Sequence, residues 1–324
     1  MSKTIIVTGG CGYIGSHIVR ALRKEDAGNR IVVIDRVLQN HTLADVDCVL
    51  DADYASDAAL RLILQEQPDA IVHCAGTSLV GPSVTDPADY YDNNVAKTIT
   101  MLNTIKLMTK KPVIVFSSSA SVYGEPKCIP ITEFDRRDPI SPYGRTKAMI
   151  EDILQDYKAA YGISSICFRY FNAAGAEPMN YDLGQAAGAT HIVARILEAT
   201  INQTPFTLYG NQYSTPDGTC IRDYVHVWDI AQAHVLGIGY LLHAKSCSLK
   251  LNLGTGSGIS NQQIIDYVKQ KYGFDLIQHA DARAGDPAEL VATAATARDL
   301  LSWNPQYSTL EAIVDSAYKW YTRQ

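Results

Sequence analysis

The sequence predicts an α/β protein built on a doubly wound, mostly parallel sheet, and two observations carry that expectation. Short β-branched runs alternate with helix-periodic segments over the first half of the chain, the pattern of successive strand–helix–strand crossovers. The first strand ends in T-G-G-C-G-Y-I-G and passes at once into a helix, the junction at which such sheets receive a dinucleotide.

Taken in order, Thr4 to Val7 reads as a strand, Tyr13 to Arg23 as a helix and Arg30 to Ile34 as a second strand. Asp47 to Leu50 is a third strand, Ala58 to Gln65 a helix, and Ala70 to His73, Val113 to Phe116 and Ser165 to Arg169 are buried strands. A helix from Tyr143 to Tyr161 carries Ile150, Ile153, Leu154 and Tyr157 at helical spacing. After Asn172 the chain turns to Gly/Pro/Asn-rich loops and shorter elements, which predicts a smaller C-terminal α/β domain. The expected division is 1–171 and 172–324, with the apolar stretch 224–243 returning to the first domain.

Composition narrows the function classes. With 324 residues, 47% of them hydrophobic, the chain can bury one large or two modest cores. A net charge of −6 and no Lys/Arg cluster argue against nucleic acid as a partner. Seven scattered cysteines without a C-x-x-C point to free thiols in the cytoplasm and to no metal site. The N-terminus runs directly into a strand, so no signal peptide is expected. No apolar stretch approaches the ~20 residues of a membrane span, so no membrane partner is expected either.

The glycine turn allows two readings, Gly10-x-Gly12-x-x-Gly15 and Gly9-x-x-Gly12-x-x-Gly15. Both set a side-chain-free turn and a helix N-terminus against a pyrophosphate. Asp35 follows Gly15 by twenty residues, at the end of the second strand, where a carboxylate accepts from ribose hydroxyls. A 2′-phosphate would meet a like charge there, so NAD is favoured over NADP, with Arg36 alongside as the opposing feature.

Tyr143 and Lys147 stand four apart in S-P-Y-G-R-T-K and share a helix face. An ammonium near a phenol is expected to lower its pKa from about 10, making a base for a sugar or steroid hydroxyl. The strand Val113 to Phe116 opens into S-S-S-A-S-V-Y-G, which a parallel sheet delivers to the same crevice. A serine-nucleophile reading fails for want of a G-x-S-x-G elbow. His17, His73, His226 and His234 read as satisfied structural histidines, and Asp223 and Asp229 as local caps or pairs. For Cys11, beside the glycine turn, small size is reason enough.

The ordered set T-G-G-C-G-Y-I-G, H-C-A-G, Y-Y-D-N-N-V, S-S-S-A-S-V-Y-G, S-P-Y-G-R-T-K, R-Y-F-N and R-D-Y-V-H-V resembles the extended short-chain dehydrogenase/reductase family, and within it the nucleotide-sugar 4-epimerases. The resemblance runs from Thr4 to about Trp320. It implies a Rossmann-type NAD-binding domain, a nucleotide-sugar-binding domain and a homodimer. The dimer would be built from the Tyr143 helix and the one around Asn94 to Met108. The implied reaction inverts carbon 4 of a UDP-hexose, interconverting UDP-glucose and UDP-galactose through a transient 4-keto sugar.

Carried over, catalysis falls on Ser119, Tyr143 and Lys147. NAD contacts fall on Gly9, Gly12, Tyr13, Ile14, Gly15, Asp35, Asp53, Tyr54, Cys74, Ala75, Gly76, Ser78, Asn94, Tyr143, Lys147 and Phe171. Substrate contacts fall on Ser119, Tyr143, Asn172, His191, Thr207, Tyr209, Arg222, Arg283, Asp286 and Leu290. The physical logic is consistent: arginines offer cationic forks to a diphosphate, and Tyr209 can stack on uracil. Leu290 would close the pocket over the carbon-2 substituent, where a tyrosine restricts the family to glucose and galactose. Two departures stand out. The segment from Asp35 to Asp53 is shorter than the family's ribose loop, and Cys74 replaces a common aromatic.

The alternatives are a UDP-N-acetylglucosamine or UDP-pentose 4-epimerase, or a related dehydratase or decarboxylase. Dehydratases of this group resemble S-T-D-E-V-Y-G at the serine strand, and here Ser119, Ala120 and Ser121 supply no carboxylate. A non-enzyme alternative, an NAD-sensing scaffold, typically loses the Tyr or the Lys, and both are retained.

Overall fold

The computed structural model describes residues 2–38, 44–244, 246–282 and 287–323. Its first half alternates as expected: β1 (Thr4–Thr8), α1 (Tyr13–Glu25), β2 (Arg30–Asp35), β3 (Cys48–Asp51), α2 (Asp57–Glu66) and β4 (Ala70–His73). Two short helices follow, α3 (Val80–Thr85) and α4 (Pro87–Tyr90). The chain then passes through a π-helical turn, Tyr91–Ala96, into α5 (Lys97–Ile105). After these come β5 (Val113–Ser119), α6 (Pro142–Tyr161), β6 (Ser165–Tyr170) and β7 (Asn172–Ala174). The remainder is α7 (Ile192–Asn202), β8 (Phe206–Tyr209), β9 (Ile221–His226), α8 (Val227–His243), β10 (Ser248–Leu253), β11 (Gly258–Ser260) and α9 (Asn261–Tyr272). It closes with β12 (Ile277–Ala280), β13 (Glu289–Leu290), α10 (Ala295–Leu301) and α11 (Leu310–Thr322).

Seven parallel strands form the central sheet in the order β10-β6-β5-β4-β1-β2-β3. The order reverses between β1 and β4, so a crevice opens beyond the strands' C-terminal ends at that switch point. β1, β4 and β5 read as near-continuous apolar runs because helices cover both faces. One face packs Ile5, Val7, Val33, Val72 and Phe168 with α1 and α8, the other packs Ile6, Ile34, Ile71, Phe116 and Ile150 with α2, α5 and α6. A third core, with Leu197, Phe206, Phe274 and Val314, lies among α7, α9 and α11.

The stretch 224–243 divides: its helix α8 lies against α1, β5 and β6, while its strand β9 joins the smaller sheet with β7, β11 and β13. β10 is not among the expected strands. Its S-L-K-L-N-L alternation reads as a half-buried element, and its partner β6 lies far back in the sequence.

α6 is well specified locally. Pro142 opens it, the Ser141 hydroxyl accepts from Gly144 N at 3.1 Å, and left-handed Gly162 closes it. Gly144 lets the helix press on the serine turn, since a Cβ there would lie 2.4 Å from Ser121 O. No helix among the described residues is long and apolar enough to cross a membrane.

Candidate active site

A cavity of about 700 Å³ occupies the crevice at the switch point. Gly9, Gly12, Tyr13, Ile14 and Gly15 floor it. Gly10 instead faces the Val33 side chain, so the geometry follows the Gly9–Gly12–Gly15 reading. At Gly15 a Cβ would sit 2.1 Å from Gly9 O, so only glycine permits the turn to close under the helix. α1 begins at Gly12 with no side-chain cap, which leaves its first N–H groups to an anion. Asp35 lines the cavity, its carboxylate accepting from Cys11 N at 2.9 Å and Val37 N at 3.0 Å. Arg36 leans toward Asp53, 3.9 Å away, and Asp53 also takes Lys97 Nζ at 2.8 Å. This uncapped cradle with a carboxylate at the ribose end fits NAD.

Cys74, Ala75, Gly76, Ser78, Asp53, Tyr54 and Phe171 also line the cavity. Tyr54 turns its hydroxyl inward to the Asn93 carbonyl. Asn94 does not line it: behind Gly76, its amide pairs with Thr77 N and O and with Thr146 Oγ1. The π-helical turn brings Asn93 to the cavity wall instead.

Ser119, Tyr143 and Lys147 converge here. Tyr143 hydrogen-bonds Ser119, whose Oγ also accepts from Ser121 N at 3.1 Å. Lys147 Nζ donates to Ser117 O at 2.8 Å and stands 5.7 Å from the Tyr143 ring centre and 4.7 Å from that of Phe116. The expected lowering of the phenol is reversed in the structure. Burial pushes Tyr143 up to about 12 against the pull of Ser119. Burial likewise pushes Lys147 down to about 8, opposed by Cys74, Cys167 and Glu151. The reason is desolvation: both groups are buried, so each neutral form gains, and burial is the largest cause at each. Among the described residues no group of His, Cys, Asp or Glu is arranged to hold a metal.

The substrate-side residues divide. Asn172 and His191 line the cavity. Thr207 and Tyr209 lie on β8, and Leu290 of β13 pairs in register with Arg222 of β9. Arg222 Nη1 donates to Ile221 O at 2.9 Å. Leu290 packs on Val122, Tyr123, Ile131 and Phe171. Arg283 and Asp286 lie outside the described residues. Sequence reasoning missed Gln185 and Thr190, which line the cavity from Q-A-A-G-A-T-H; a glycine-containing polar loop gave no chemical signal of its own.

With this geometry in place, comparison with known proteins is direct. The profile of the NAD dependent epimerase/dehydratase family matches residues 5–254. UDP-glucose 4-epimerase of Halalkalibacterium halodurans is 40% identical over 324 residues, 98% of this chain and 95% of that protein. The crystal structure of UDP-glucose 4-epimerase from Brucella ovis in complex with NAD superposes with a TM-score of 0.92, at 38% identity and 98% coverage of both chains. The UDP-Glc/GlcNAc 4-epimerase of Campylobacter jejuni superposes with a TM-score of 0.84, at 35% identity and 100% coverage of both. The profile covers residues 5–254, and relatives and superposition extend the match over nearly the whole chain: it belongs to the NAD dependent epimerase/dehydratase family.

Proposed function

We propose that this protein interconverts UDP-glucose and UDP-galactose by inverting carbon 4, working as a cytoplasmic homodimer with NAD retained between turnovers. The observation that carries the reading is the meeting of Ser119, Tyr143 and Lys147 in a crevice whose glycine floor fits a dinucleotide. NAD, when bound, supplies the hydride acceptor, the same hydride for return, and one positive charge. Tyr143 takes the proton of the 4-hydroxyl and gives it back, and Ser119 holds that oxygen. Lys147, a cation braced on Ser117 O, favours the phenolate once further positive charge enters the cavity to offset burial. The substrate then passes through a 4-keto sugar that must turn over within the site.

Residues 1–171 with α8 and β10 form the NAD-binding unit in this reading, and the rest of 172–324 the nucleotide-sugar unit. Asn172, His191, Thr207, Tyr209 and Arg222 are assigned to the UDP-sugar. Exposed Met149 and Tyr161 on α6 and Leu107 after α5 support a dimer face built on those helices.

The test is purified protein given UDP-galactose without added NAD. UDP-glucose should form, and denatured protein should release NAD. Absence of product, a dehydrated or decarboxylated product, or recovery of NADP each contradicts the reading.

Leu290 sets a second expectation. Shorter than tyrosine and without its hydroxyl, it leaves room that supports slower turnover of UDP-N-acetylglucosamine, the pair of sugars named for the Campylobacter enzyme. Leu290→Tyr should remove the N-acetyl activity while sparing the hexose activity, a discrimination of roughly 10–200-fold for one pocket-wall change. N-acetyl turnover that survives in the tyrosine variant, or is missing from wild type, rejects Leu290 as the gate.

A further inference from the structure

Beneath the serine turn lies an ionic cluster that the reaction above does not use. Glu151 follows Lys147 by four residues, as Lys147 follows Tyr143, so the three share one face of α6. Its fully buried carboxylate accepts from Arg169 Nε at 2.9 Å and Nη2 at 2.6 Å, from Ser118 Oγ at 2.6 Å, and from Arg137 Nη1 at 3.2 Å. Arg169, equally buried, also donates to the Tyr123 hydroxyl at 2.8 Å, which donates to Asn252 Oδ1 at 2.6 Å. A buried ion pair is poor evidence of a stabilising role, since apolar replacements of equal volume often serve as well.

Position is more informative. Ser118 stands between Ser117, whose carbonyl takes Lys147, and Ser119, which bonds Tyr143. Strand alternation turns its side chain away from theirs. The tie from Ser118 to Glu151 therefore locks the end of β5 to the same helix that carries the phenol and the ammonium. From this we infer that Glu151 is a positioning residue, holding β5 against α6 through Ser118 and Arg169 so that Ser119, Tyr143 and Lys147 keep their mutual geometry. The inference rests on the proposed roles of those three residues.

Electrostatics add to the case. Facing Lys147 are Tyr143 and Glu151 from α6, His73 from β4 and Cys74 just after it, and Cys167 from β6. Burial drives Cys74 up to about 11, raises Cys167, and lowers His73 to about 3, so all three are neutral near pH 7. That leaves Glu151 as the carboxylate favouring the ammonium, itself faced by Arg169 and Arg137.

Ser118→Ala removes the tie with no change of charge. It should lower kcat about 10- to 100-fold, the effect of a small misplacement, with KM for UDP-galactose and the melting temperature near wild type. Glu151→Gln should shift the alkaline limb of kcat to lower pH. It should also lower the midpoint for acetylation of Lys147 by acetic anhydride, read by peptide mass spectrometry across pH. A Ser118→Ala enzyme that keeps more than a tenth of wild-type kcat overturns the proposal, as does an unmoved Lys147 midpoint in folded Glu151→Gln. Should Glu151→Gln fail to fold, the Ser118→Ala result decides alone. Should wild type turn over no UDP-sugar, the functional reading falls, while the Lys147 midpoints still decide whether Glu151 governs that ammonium.

Discussion

Tyr143→Phe should lower turnover of UDP-galactose by about 10²–10⁴-fold, the usual contribution of a positioned proton acceptor, while leaving the fold and the NAD content intact. The expectation comes from what the substitution touches. The ring is 8% exposed and meets Tyr90 edge-on, with ring centres 6.4 Å apart. Phenylalanine keeps that packing. The hydroxyl's partner, Ser119, retains Ser121 N and Ser121 Oγ, so no buried polar atom is stranded by its loss. Lys147 keeps its bond to Ser117 O. The variant therefore removes one proton acceptor and little else, and KM should move far less than kcat. Retention of more than a tenth of wild-type turnover would falsify the assignment of Tyr143 as the base.

The site was legible in the sequence to the extent that chemistry follows local spacing. Y-x-x-x-K on a helix, a serine run at a strand end and glycines between strand and helix each encode their geometry within a few residues. Even there, the choice between two glycine registers needed the structure, because nothing local says that Gly10 backs onto Val33 while Gly9, at φ +71°, lies against the Ala75 backbone. The direction of the Tyr143 shift differs from the sequence expectation because charge proximity can be read from spacing and desolvation cannot. Burial depends on what α3, α4 and the π-helical turn place around the phenol. β10 and the Glu151–Arg169 pair were illegible for a related reason: their partners lie on elements that only the three-dimensional fold brings together.

The histidines show the same limit, and acid should reveal it. His73 is satisfied as expected: Thr98, whose hydroxyl donates to Asn94 O, accepts from Nε2 at 2.9 Å, so Nδ1 takes the Thr8 hydroxyl at 2.7 Å. His226 accepts Trp228 N at 3.1 Å on Nδ1 and donates from Nε2 to Ser316 at 3.0 Å. His17 and His234 donate from Nδ1 to carbonyls of their own helices, and among the described residues neither Nε2 meets a well-formed hydrogen-bond partner, which corrects the expectation of full satisfaction at both.

All four are buried, and that burial pushes His17 and His234 down to about 4 and His73 and His226 to about 3. Each folded-state pKa lies below the ordinary value of about 6.5, so on acidification the unfolded chain takes up these protons first. Their contribution to stability is thus present above pH 6.5 and lost as pH falls toward 3. Each proton is worth about 1.4 kcal/mol per pH unit, so the four together are worth as much as about 5.5 kcal/mol per pH unit. Asp223 and Asp229, raised by burial, act in the opposite sense but are fewer. Against a total stability of about 5–15 kcal/mol, cooperative unfolding is expected between about pH 5 and 4, before most carboxylates are protonated. Circular dichroism and tryptophan fluorescence followed from pH 7 to 3 at low salt should show one transition in that window. A native signal persisting at pH 3.5 would mean that these side chains gain protons within the fold, contrary to the neutral tautomers their partners impose.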